Sequence, residues 1–189
     1  MDSNLIDRFL EGDASAFDAL VERHRQRVFN LVYRITNDRD WAEDITVKVF
    51  VEVYVALPQF KKQAKFATWL HRIAVNVCLE NIRRRKAKKL LREVQLEEGG
   101  LAGASDPAQG AMARDLAARV TAAMQVLPET HRAAITMFYL EQRSYAEIAE
   151  ILGIPRNTAK TRIFHGTKVL RDRLRAEGIL PAVSRGQSR

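Results

Sequence analysis

The sequence predicts an all-α fold, two small helical domains joined by a flexible linker, on three observations. Apolar residues recur at three- and four-residue steps in nearly every segment. Asp, Ser and Pro stand where those segments start, as helix caps do. Four of the nine glycines fall in residues 97–110, a stretch with too little apolar bulk to bury a core. The chain of 189 residues therefore divides into a first unit at 1–95, a linker at 96–110, a second unit at 111–177 and a tail at 178–189. With no apolar anchor in the linker, the two units are expected to move independently.

In the first unit, Ala16, Phe17, Leu20 and Val21 and then Val28, Leu31, Val32 and Ile35 keep helical spacing. The polar run Asn37-Asp38-Arg39-Asp40 breaks it, and Asp40 with Glu43 resembles a capping box for the next helix. That next segment argues with itself. Positions 45, 47, 49, 51, 53 and 55 are all Ile or Val, a period-two pattern that locally favours a strand. A lone strand among helices has no partner, so the segment is assigned as helix. Phe66, Trp69, Leu70, Ile73, Val77 and Ile82 form a further amphipathic helix. The second unit reads as four helices. An alanine-rich segment covers 112–124, and Pro128 opens one over 129–140. Ser144 with Glu147 caps a short one ending at Leu152, and a long one runs from 156 or 157 to about 176 after the Gly153-Ile154-Pro155 turn.

Charge narrows the function. The net charge is +8. From 61 to 92 there are eleven Lys/Arg against Glu80, and from 156 to 175 seven against Asp172, so the excess sits in two blocks, as two contacts with a polyanion require. The single cysteine, Cys78, rules out an internal disulfide and a multi-cysteine zinc site. The four histidines lack metal-ligand spacing, and no glycine-rich phosphate loop is present, so neither metal, cofactor nor catalytic residues are expected and an enzyme is disfavoured. No apolar run reaches the ~20 residues of a membrane span, and the N-terminus lacks a secretory signal, so a cytoplasmic protein is expected.

Two helices joined by a glycine-containing turn, the second one basic, make a helix-turn-helix. In its second helix Ile163, Leu170 and Leu174 share an inward face, with Gly166 or Thr167 between them. Lys160, Thr161, Phe164, His165 and Lys168 lie on the other, where they can meet a major groove.

The stretch from Leu127-Pro128-Glu129 to Leu174 resembles region 4 of bacterial sigma factors. The matching residues are Tyr139-Leu140, Ser144-Tyr145-x-Glu147-Ile148-Ala149-x-Ile151-Leu152-Gly153-Ile154-Pro155 and Thr158-Ala159-Lys160-Thr161-Arg162. The first unit resembles region 2 through Gly12-Asp13-x-x-Ala16-Phe17, Ala42-Glu43-Asp44 and Phe66-x-Thr68-Trp69-Leu70-x-Arg72-Ile73-Ala74-x-Asn76. The family is the sigma-70 family, extracytoplasmic-function type. The resemblance implies a transcription initiation factor that binds core RNA polymerase and promoter DNA, with an anti-sigma factor as a further partner. It puts Arg156, Asn157, Lys160, Thr161, Arg162, Phe164, His165 and Lys168 at the −35 duplex. It puts Phe60, Lys61, Lys62, Lys65, Phe66, Trp69, Asn76, Arg83 and Arg84 at the melted −10 strand, and Glu43, Asp44, Val47 and Lys48 at the polymerase. By residue type, aromatics interleaved with lysines suit extruded bases, although Phe66 and Trp69 also keep core spacing with Ile73. Val47 and Lys48 stand where the family usually has Gln and an acidic residue, which predicts weaker polymerase binding. Two rival readings are a helix-turn-helix regulator acting without polymerase and a basic RNA-binding protein.

Overall fold

Eight α-helices carry the chain in a computed structural model that describes residues 2–95 and 111–181, and no strand occurs among them. The first unit contains α1 (Asp2–Leu10), α2 (Ala14–Thr36), α3 (Arg39–Ala56) and α4 (Phe66–Gln95). The second contains α5 (Ala111–Ala123), α6 (Glu129–Ile135), α7 (Tyr145–Leu152) and α8 (Arg156–Ala176). The expected linker at 96–110 lies outside the described residues, as does the tail from 182.

The caps explain where the helices begin and end. Asp13 starts α2 by accepting the Ser15 N–H at 3.0 Å, and Asn37, left-handed at φ 55°, ends it. The cap of α3 is Asp38, whose carboxylate accepts the Trp41 N–H at 3.0 Å; the expected Asp40–Glu43 box is not the one that forms. The reason is geometric: Asp38 has the extended backbone a cap needs, whereas Asp40 already lies inside the helix. The Ser144–Glu147 box does form, each side chain meeting the other's backbone N–H at 3.0–3.2 Å. Gly153, at φ 61°, closes α7 in the left-handed form that the turn into α8 requires.

The period-two segment is a helix, as assigned. Its alternating Ile and Val positions are two interleaved i, i+4 series. Ile45, Val49 and Val53 are buried, while Val47, Val51 and Val55 are exposed at 62, 59 and 66%. Inside the second unit α6 and α8 come close at Gly166, where a Cβ would stand 2.6 Å from Ile135 Cδ1. Ile163 and Leu174 are buried on the same side, and Leu170 packs against the cluster of Met124, Leu127 and Ile135.

The units do not stand apart. One continuous apolar cluster runs from Leu5 and Ile6 through Leu31, Leu70 and Cys78 to Met137, Ile148, Ile151 and Ile163. α7 packs on α4, and α6 on α2 and α4. In this arrangement the two units pack on each other, across the stretch from which independent units were expected. The apolar residues of α6 and α7 find their cover in the first unit.

Candidate nucleic-acid interface

α8 presents its charge on one side because its apolar residues recur at three- to four-residue steps and turn inward. Arg156, Asn157, Lys160, Thr161, Phe164, His165 and Lys168 are exposed, and Phe164 is 67% exposed with His165 edge-on to it, ring centroids 5.5 Å apart. A large bare aromatic between lysines is costly in water and suits a thymine methyl or a sugar edge. Arg162 is only half-exposed and lies off this face, near His131. Burial first, then Arg162 and His165, push the His131 imidazole below its ordinary range.

The loop before α4 and the first turns of α4 hold the second basic block. Phe60, Phe66 and Trp69 form an aromatic triad, with centroids 4.9 Å apart for Phe60 and Trp69 and 5.8 Å for Phe66 and Trp69. Phe66 is 6% exposed and meets His24 from below, so it supports the triad and offers no free face to a base. Phe60 and Trp69 are half-exposed, and Lys61, Lys65, Arg72 and Asn76 are exposed around them. Lys62 is left-handed at φ 55° and ion-paired to Asp7 of α1. Further along α4, Arg83 is exposed and Arg84 pairs with Glu80 at 2.5 Å. Arg85 stacks 4.3 Å over Trp41 and bonds Asp38 at 3.1 Å.

Glu43, Asp44, Val47 and Lys48 are all exposed on α3. The Lys48 ammonium donates to Asn81 Oδ1 at 3.0 Å, so its charge is drawn onto α4. Val47 belongs to a larger feature that sequence reasoning missed. With Val51, Tyr54, Val55, Phe17 and Val21 it lines an apolar groove of about 390 Å³ between α2 and α3. The signal was present as the odd-numbered valines, whose i, i+4 row on the assigned helix was not read as an exposed apolar face. Cys78 is buried, and burial pushes its thiol up to about 12, so it holds no thiolate at neutral pH. Among the described residues no cluster of His, Cys, Asp and Glu is arranged to hold a metal, and no helix is long and apolar enough to cross a membrane.

With this geometry in view, comparison with known proteins is direct. The pattern that defines Sigma-70 region 2 matches residues 20–88, and that of Sigma-70, region 4 matches 117–170. The chain is 35% identical over 172 residues to the ECF RNA polymerase sigma factor SigW of Bacillus subtilis, covering 87% of this chain and 92% of that one. It is 33% identical over 176 residues to the ECF RNA polymerase sigma-E factor of Escherichia coli K12, covering 89% and 92%. Among solved structures, CnrH in complex with the cytosolic domain of CnrY shares the fold at TM-score 0.69 and 24% identity, over 93% of this chain and 98% of that one.

Proposed function

Since the chain belongs to the sigma-70 family, in its extracytoplasmic-function group, we propose that it directs core RNA polymerase to promoters by dividing the work among three surfaces. The exposed face of α8 reads the −35 duplex, with Lys160, Thr161, Phe164, His165 and Lys168 at base edges and Arg156 and Asn157 at phosphates where the helix N-terminus points. Phe60 and Trp69, with Lys61, Lys65, Arg72 and Asn76, hold the melted −10 strand, Phe66 bracing them from below. The α2–α3 groove with its Val47–Val51–Val55 stripe, flanked by Glu43 and Asp44, docks the polymerase.

The reaction is differential binding with no catalytic step by the chain itself. The protein acts in the cytoplasm, and an anti-sigma factor is its natural antagonist. The observation that carries the reading is the pairing of two separate basic surfaces with one apolar stripe: the first two suit nucleic acid, and the third suits a protein partner. In vitro transcription with core polymerase on a randomised promoter library tests it. Transcripts must depend on this chain and share sequence elements near −35 and −10. Duplex binding with no transcripts would favour a regulator that acts without polymerase.

A further inference from the structure

We propose that α1 is a brace for the loop at 60–66: Asp7, acting through Lys62, and Asp2, acting through His24 and Phe66, are positioning residues that hold this loop in the form that receives the melted −10 strand. The contacts stand on geometry alone; what they position rests on the sigma-factor reading.

The helix is fixed to the first unit on its apolar side. Leu5 and Ile6 are buried, and Phe9 packs against Phe17 and Tyr54 with ring centroids 5.5 and 5.2 Å away. Its three charged side chains then each meet a partner in another element. Arg8 bonds the α2 cap Asp13 at 2.5 Å. Asp7 accepts the Lys62 ammonium from the loop, 55 residues along the chain. Asp2 accepts Arg23 Nη1 at 2.7 Å and lies 3.2 Å from His24 Nε2. Charges on a surface helix ordinarily face water, so a helix that commits all of them to neighbours is a connecting element.

The two acids reach the two ends of the loop. Lys62 is left-handed at φ 55°, a conformation uncommon for a residue with a Cβ, and its pair with Asp7 holds that bend. At the other end His24, 6% exposed, stands edge-on to Phe66 with centroids 5.3 Å apart. Phe66 in turn lies 5.9 Å from Phe60 and 5.8 Å from Trp69, the two half-exposed rings. One unbroken line of contacts thus runs from Asp2 to the rings offered to the strand, and a second runs from Asp7 to the bend between Phe60 and Lys65.

Electrostatics argues that geometry is the purpose. A nucleic-acid strand gains from each free cation and loses from each carboxylate beside it. Asp7 neutralises one of the three lysines of the loop, Lys61, Lys62 and Lys65. A surface selected for phosphate affinity alone would carry no acid there. The pair is half-exposed and adds little to global stability, yet it can shift a short loop between conformers by up to about fivefold. Removing this negative charge should therefore weaken strand capture, the opposite of what charge alone dictates.

The test compares wild type with Asp7→Asn, Asp2→Ala and the exchanged pair Asp7→Lys with Lys62→Asp, which keeps the summed length of the two arms. Each full chain is bound to core polymerase and titrated with a labelled fork-junction DNA, duplex through the selected −35 element and single-stranded across the selected −10 element. Asp7→Asn and Asp2→Ala should each weaken fork binding about three- to fivefold and flatten discrimination among −10 base variants, with binding of a −35 duplex alone unchanged. The exchanged pair should return to within about twofold of wild type. Hydrogen exchange on the free chains reads the loop directly: amides of residues 60–66 should exchange at least about threefold faster in Asp7→Asn and at the wild-type rate in the exchanged pair. Tighter or unchanged fork binding by Asp7→Asn or by Asp2→Ala overturns the brace. So does an exchanged pair that stays weak, which would make Lys62 a direct strand contact, and so does equal loss on the −35 duplex, which would make the effect a general one on the fold. If wild type with core polymerase shows no preference for any −10 sequence, the sigma-factor reading fails, while hydrogen exchange still decides whether α1 holds the loop.

Discussion

Truncating the exposed valines of α3 separates a docking face from a core face on a single helix. Burying a valine completely is worth about 1.5–3 kcal/mol. Val47, Val51 and Val55 keep 62, 59 and 66% of their surface exposed, so each has about 1–2 kcal/mol still to gain in a complex, about 3–6 kcal/mol together. Cutting all three to alanine forfeits more than half of that, about 2–3 kcal/mol, or roughly 30- to 140-fold in Kd for core polymerase. Stability should hardly move. Each alanine gains up to about 0.6 kcal/mol of helix propensity, and each loses a similar amount of the partial burial its valine has in the groove. The melting temperature should stay within about 2 °C of wild type.

Val49→Ala is the control, since Val49 is 0% exposed on the opposite face of the same helix. It should cost about 2 kcal/mol and lower Tm by about 4–8 °C, while leaving polymerase affinity per folded molecule unchanged. Fluorescence anisotropy of labelled chain against core polymerase, with calorimetric melting of each variant, reads both quantities. A triple variant that binds like wild type, or that melts as low as Val49→Ala, would refute the assignment of the stripe.

Three further outcomes follow from particular contacts. Ser144→Ala removes one half of the box that starts α7 and should cost about 1 kcal/mol, read as a Tm drop of about 2–4 °C by calorimetry. Lys160→Ala and His165→Ala should each lose about 1–3 kcal/mol of discrimination at one or two base pairs of the −35 element, scored by competition among single-base variants of a selected duplex; a uniform loss across all of them would make these phosphate contacts. Acid should weaken the fold in two stages, seen as falling urea midpoints. Burial, working against Asp2, holds the His24 imidazole below its ordinary 6.5. Below pH 6.5 the unfolded chain therefore binds the extra proton and stability falls. His71 first, then Arg27 and Arg34, hold the Glu141 carboxyl below its ordinary 4.5 despite burial. Its contribution is whole above pH 4.5 and lost as pH falls through the lowered value, so the junction should open there.

Local chemistry made most of the elements legible. The Ser144–Glu147 box, the Gly153 turn and the inward Ile163–Leu174 face of α8 are each decided within a few residues, and the structure has them where the spacing predicts. The start of α3 shows the limit of such reasoning. Asp38 and Asp40 are both good caps by type, and only backbone conformation chooses between them. The junction between the units was not legible at all. Glu141 and His71 are far apart in sequence, and neither carries a pattern; a single glutamate after Leu140 looks like any surface residue until the fold sets two guanidinium groups and an imidazole around it.

Where local rules fail, they fail at surfaces that matter to the proposed work, and each failure has a physical reason. A soluble helix should not carry three bare valines in an i, i+4 row unless something covers them. Outside the Asn37 cap, the left-handed residues other than glycine are Lys62 and Gln142 among the described residues. Each costs about 1 kcal/mol or more that packing elsewhere must offset. One sits in the loop that carries the candidate −10 lysines, and the other sits between the two residues that grip the first unit. A chain selected only for stability would place asparagine or glycine at both. Their persistence is consistent with side chains that have separate tasks: Lys62 meets Asp7 and holds the loop to α1, and Gln142 turns Glu141 and Arg143 toward α2 and α4. The strained positions thus fall on the loop that carries the candidate −10 lysines and on the contact between the two units, the two places where a side chain of one element is held against another.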